Sequence, residues 1–65
     1  MFKNLNAEEA RHGMNNKTMS DLLGIDAVTY ARKKATGNFK LSEAKKLLAF
    51  FGVSFDYLFK TEGEE

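Results

Sequence analysis

Few side chains in this 65-residue chain can do covalent chemistry. Cysteine is absent, which excludes a disulfide, a zinc–thiolate site and a thiol nucleophile. The single histidine, His12, has no partner at a spacing that would make it a general base, and it reads as a charge at the end of a helix. Glu8 and Glu9 are neighbours, so on a helix their carboxylates diverge by about 100° and do not readily share a substrate. No glycine-rich loop is spaced to cradle a phosphate. These features argue against an enzyme, and no cofactor, metal or small-molecule substrate is expected. What remains is charge. Arg32, Lys33 and Lys34 are consecutive cations that close the stretch "LLGIDAVTYARKK", residues 22–34. Their chemistry is capture of an anion, and the elements that carry them decide which anion they can reach.

The net charge is only +1, but it is laid unevenly along the chain. Residues 1–26 sum to −1, residues 27–46 to +5 and residues 47–65 to −3. Such a concentration fits either one face that meets a polyanion or a solvated lysine-rich helix face. The aromatic residues are not interleaved with the cations, unlike those of a single-stranded nucleic-acid binder.

Glycines at 13, 24, 37 and 52 divide the chain into short segments, four helical and a fifth that reads as a closing turn. In "NLNAEEARHG", Asn6 and Glu9 have capping-box spacing. This predicts a helix that starts after Asn6, holds Glu8 and Glu9 in its first turn and ends at Gly13. In "MNNKTMSDLLG", Asn15 is the expected cap, Met19, Leu22 and Leu23 share a face, and Gly24 terminates. In "IDAVTYARKKATG" strict alternation is missing. Despite Val28 and Thr29, the stretch predicts a helix from Ala27 to about Ala35, capped by Asp26 and closed by Gly37. Tyr30 then faces inward against the preceding helix, while Val28 and Arg32 share the free face. In "LSEAKKLLAFFG", Leu41, Ala44, Leu47, Leu48 and Phe51 form an apolar stripe. The last segment, "VSFDYLFK", is capped by Ser54 and places Phe55, Leu58 and Phe59 at helical spacing. Only Gly24-Ile25-Asp26 joins the second and third helices, the spacing of a helix-turn-helix unit whose second helix is displayed outward.

The length allows one domain, residues 1–60, followed by an acidic flexible tail over 61–65. A chain this small buries about 60% of its unfolded surface, so a second copy of itself would help to stabilise it. No apolar run approaches the roughly 20 residues that span a membrane. The opening "MFKNLNAEEA" turns polar too soon for a signal peptide, so a cytoplasmic protein without membrane contact is expected.

The stretch "GMNNKTMSDLLGIDAVTYARKK" resembles the helix-turn-helix of the phage-repressor, Cro-like (Xre-type) class of DNA-binding domains. The likeness is carried by Gly13, Met14, Asn15 and Asn16, then by Met19, Leu23, Gly24, Ile25 and Asp26. Downstream, "LSEAKKLLAFFGVSFDYLF" resembles the closing helices of the class, in which Gly-Val-Ser leads into a final Asp-x-Leu turn. The likeness is ungapped over roughly residues 13–59, and the opening is similar to those of small prophage-encoded regulators of Gram-positive bacteria. It implies an all-α, compact five-helix, lambda-repressor-like domain with its helix-turn-helix at about residues 16–35. It also implies binding to double-stranded operator DNA as a homodimer. The sequence departs from the class at Ala27 and Val28, where polar readers are usual. It departs again at Lys33 and Lys34, where an apolar or aromatic residue and a glutamate are usual, at Asn16 for glutamine, and at Lys40 for a hydroxyl cap.

On that resemblance the candidate DNA contacts are Asn16, Lys17, Ala27, Val28, Thr29, Arg32, Lys33, Asn38 and Lys40. Arg32 can grip guanine O6 and N7 or meet a phosphate. Ala27 and Val28 can cover a thymine methyl or serve a protein partner. Thr29 can donate to a phosphate or back to its own helix. Asn16, beside free N–H groups at a helix start, fits a phosphate clamp or simple capping. Lys17, Lys33, Lys34, Asn38 and Lys40 are flanking phosphate candidates. Phe55, Tyr57 and Phe59 are more aromatics than one inward face hides, so the dimer surface is expected near the C-terminus. The alternative function is a protein-interaction module of the same fold, such as an antirepressor, that no longer reads DNA.

Overall fold

The computed structural model describes residues 2–61, and every regular element in them is a helix. In chain order these are α1 (Lys3–Arg11), α2 (Asn16–Leu23), α3 (Ala27–Thr36), α4 (Leu41–Phe51) and α5 (Phe55–Leu58). None is long and apolar enough to cross a membrane. The tail expected over 61–65 falls outside the described residues beyond Thr61.

α1 does not start where the Asn6–Glu9 spacing placed it. It begins at Lys3, because Phe2 is buried and meets the Phe59 ring edge-on at 5.4 Å, while the Asn6 N–H donates to the Phe2 carbonyl at 3.1 Å. Burying an aromatic ring stabilises by about 1.5–3 kcal/mol, more than the roughly 1 kcal/mol of a cap. Asn6 therefore lies inside the helix. Glu8 and Glu9 lie beyond its first turn, with their side chains buried in the protein. The other end is as expected. Gly13 takes φ +67°, its N–H bonds the Ala10 carbonyl, and the Met14 N–H bonds that of Glu9 at 2.7 Å, a Schellman closure.

Local chemistry sets the next two helices. The Asn15 side chain accepts from the Thr18 N–H at 2.9 Å, and the Thr18 hydroxyl accepts from the Asn15 N–H at 2.8 Å. The Asp26 carboxylate accepts from the Thr29 N–H at 2.6 Å. Between these caps Gly24, at φ +72°, lets the Ile25 N–H reach back to the Ser20 carbonyl at 3.0 Å, so the chain reverses within Gly24-Ile25-Asp26. α2 and α3 then pack directly on each other.

Every helix feeds one core, which contains Leu5, Met19, Leu23, Tyr30, Leu47, Phe51 and Leu58. The stripe predicted on α4 holds at Ala44, Leu47 and Phe51 but not at Leu41, which is 70% exposed at the helix's first residue. α5 is a single turn, and the Ser54 hydroxyl accepts from the Tyr57 N–H at 3.2 Å as its cap. Two of the closing aromatics turn inward. Phe59 packs on Phe2 and Phe39, and the Tyr57 hydroxyl donates to Glu8 at 2.9 Å. The Asn4 amide donates to the Tyr57 carbonyl at 2.8 Å and ties α1 to the end of the chain.

Candidate functional site

Tyr30 decides which side of α3 faces out. It is fully buried, and its hydroxyl donates to the Glu9 carboxylate of α1. One turn apart on the outward side stand Val28 and Arg32, with Ala35 continuing the stripe, all exposed. Val28 is 68% exposed. Arg32 has no ion-pair partner among the described residues. Ala27 and Thr29 are half-buried at the edges of this face. The Thr29 backbone N–H and then its hydroxyl hold the Asp26 carboxyl below the usual carboxylate range, so an ionised group sits where α3 begins.

The other two cations of the triplet leave this face. Lys33 Nζ lies 3.1 Å from the Glu43 carboxylate of α4. Lys34 Nζ lies 3.1 Å from Glu9, donates to the Asn6 side-chain oxygen at 3.1 Å and sits over the Tyr30 ring. Both lysine side chains are largely shielded from solvent. Lys33, expected among the flanking phosphate contacts, is thus engaged inside the fold, and it could reach a phosphate only by giving up Glu43.

Lys33 and the Lys40 backbone meet at that same carboxylate, and Asn38 touches Lys33. The Lys33 ammonium also reaches the Asn38 carbonyl at 3.4 Å, and the Lys40 backbone N–H donates to Glu43 at 2.8 Å. Glu43 thereby takes over the capping that no hydroxyl at position 40 provides. Burial pushes its carboxyl up, but the Lys40 N–H and the Lys33 ammonium outweigh burial and leave it below the usual range. The Asn38 and Lys40 side chains are exposed in the link between α3 and α4. Asn16 and Lys17 are exposed in the first turn of α2, where Lys17 pairs with Asp21 at 2.9 Å. An exposed pair of that kind holds by under about 1 kcal/mol, so Lys17 is free to exchange partners.

No protein-family model, curated protein or solved structure matches the chain. The geometry stands alone, and its two least expected members are Glu9 and Glu43. Glu43 follows Lys40 by the three residues of a helix-start pair, a signal present in the sequence. Glu9 has the same spacing from Asn6, but the fold does not use it, and nothing in the sequence points to its partners Tyr30 and Lys34, 21 and 25 residues away. Among the described residues no cluster of three or more side chains could hold a metal ion.

Proposed function

We propose that the chain is a lambda-repressor-like, Xre-type helix-turn-helix domain. It binds double-stranded DNA sequence-specifically and regulates transcription as a cytoplasmic, prophage-type homodimer, with α3 in the major groove. The observation that carries this reading is the exposed Val28–Arg32 face of a helix whose back is fixed by Tyr30. The major groove admits an α-helix, an arginine there grips guanine, and an apolar side chain covers a thymine methyl. The start of α2, with Asn16 and its free N–H groups, suits a phosphate. Lys40, Lys45 and Lys46 are exposed and outside any ion pair among the described residues, and they supply further charge. The homodimer is supported by Leu41 and Phe55, 70% and 54% exposed, which border an apolar groove of about 390 Å³.

One feature favours the interaction module instead. Val28 is apolar where a hydrogen-bonding reader would sit. Selection of bound sequences from a random duplex library separates the two. The expected result is one enriched motif, bound with a log–log salt slope near −3 to −4 per protomer, at about −0.9 for each of roughly four phosphates. No enrichment together with a flat salt response rejects DNA reading and leaves the interaction module.

A further inference from the structure

Three cations adjacent in sequence go three ways. Arg32 stays on the outward face of α3, Lys33 reaches Glu43 on α4, and Lys34 reaches Glu9 on α1. Both carboxylates are only 6% exposed. A buried carboxylate stripped of its cation is strongly disfavoured, so each holds its lysine in place. Lys33 and Lys34 leave the helix about 100° apart. Their acceptors stand on different neighbouring helices, so turning α3 about its own axis stretches one tether or the other. Tyr30, donating to the same Glu9, adds a third restraint at the level of Lys34.

We infer that Glu9 and Glu43 are positioning residues for the DNA-reading face. They set the rotation of α3 and withdraw two cations from it, so that Arg32 is the cation of the triplet aimed at the bases. This rests on the DNA-binding reading above. Its consequence is a pair of opposed effects. Neutralising either carboxylate frees a lysine, so binding to duplex of random sequence tightens. It also loosens α3, so discrimination between selected and random duplex falls. A residue that only stabilised the fold would not move these two quantities in opposite directions.

Glutamine at either position keeps an oxygen for the Tyr30 hydroxyl or the Lys40 N–H and removes only the charge. For Glu9→Gln and Glu43→Gln the salt slope on random duplex is expected to steepen by about 0.9. The selected-to-random affinity ratio is expected to drop about tenfold, the scale of one bidentate base contact. Amide NMR signals of Val28 and Arg32, on the far side of α3, are expected to move. A second pair, Lys33→Gln and Lys34→Gln, cuts the same tethers without freeing a cation and covers the case in which the glutamate variants unfold. There the ratio falls and the slope stays put, whereas a slope shallower by about 0.9 for Lys33→Gln would put Lys33 on a phosphate and overturn the inference. Wild-type slope and ratio in the glutamate variants, with NMR changes confined to the substituted side, overturn it too. If the wild-type chain shows no salt-dependent duplex binding at all, DNA reading fails by itself. Positioning is then decided by the Val28 and Arg32 signals, whose movement supports it and whose constancy overturns it.

Discussion

Arg32 and Lys33 are neighbours with the same charge, yet they have different environments and should behave differently when removed. Arg32→Ala is expected to cost about 1–3 kcal/mol on the selected site and much less on random duplex, read by salt-titrated binding to both. Equal losses on the two would make Arg32 a phosphate contact. The outward place of Arg32 was legible in the sequence, because its spacing from Val28 and Tyr30 is a local helical matter. The inward turn of Lys33 and Lys34 was not, because it depends on carboxylates brought near by tertiary packing. Tyr30 sits at the meeting point. Burial first, and then its bond to Glu9, push its hydroxyl far above the usual tyrosine range. A raised folded-state pKa gives stability that is complete below the unfolded value, about 10, and is lost as pH climbs above it. Helix content followed by circular dichroism should therefore begin to fall near pH 10, together with the appearance of tyrosinate absorbance. Tyr30→Phe should move that fall to higher pH, and an unchanged profile would remove Tyr30 as its cause. Tyr30→Ala, which also deletes the buried ring, should cost roughly 3 kcal/mol or more in a thermal melt.

At the scale of elements, short-range chemistry was readable and long-range packing was not. Asn15, Asp26 and Ser54 cap the helices that follow them, and each hydrogen bond closes within three residues of the cap. Such bonds form whenever the helix forms, so sequence spacing is enough to find them. Asn6 had comparable spacing to Glu9, but the start of α1 is decided by Phe2 packing against Phe59 at the other end of the chain. Leu41 likewise has the right spacing for the α4 stripe, but the core does not extend to the first residue of that helix. The two kinds of asparagine give a direct comparison. Asn15→Ala should lower stability by about 1 kcal/mol, or about 4–8 °C in melting temperature for a domain of this size. Asn6→Ala loses only an exposed contact with Lys34 and should shift the melt by much less. A larger shift for Asn6→Ala would mean that it caps α1 after all.

For the whole molecule, the charge asymmetry along the chain proves coarser than the charge available to a partner. Two of the six cations behind the +5 of residues 27–46 are held inside the fold: Glu43, already counted in that sum, takes Lys33, and Glu9 from outside the segment takes Lys34. The same folding uses up aromatics that the sequence offered for assembly, since Tyr57 bonds Glu8 and Phe59 closes over Phe2 and Phe39. Of the exposed large hydrophobics, Phe55 and Leu41 stand together, on either side of the groove lined by Phe2, Phe39, Ala44 and Phe59. Covering two such side chains is worth at most about 1.5–3 kcal/mol each, so under the proposed homodimer this is the candidate face. The flanking charges suit a two-fold contact. Lys40 adjoins Leu41 and Asp56 adjoins Phe55, both exposed and outside any ion pair among the described residues, so rotation brings opposite signs together. Sedimentation equilibrium is expected to show two protomers on the selected duplex, reading half-sites about one helical turn apart. Leu41→Lys combined with Phe55→Lys should lower the melt only modestly, through loss of the Phe55 contact with the Phe59 ring at 5.0 Å, and should reduce the complex to one protomer. A wild-type complex that is strictly one-to-one on the selected site would rule out the dimer. A double variant that still assembles would move the interface to another face.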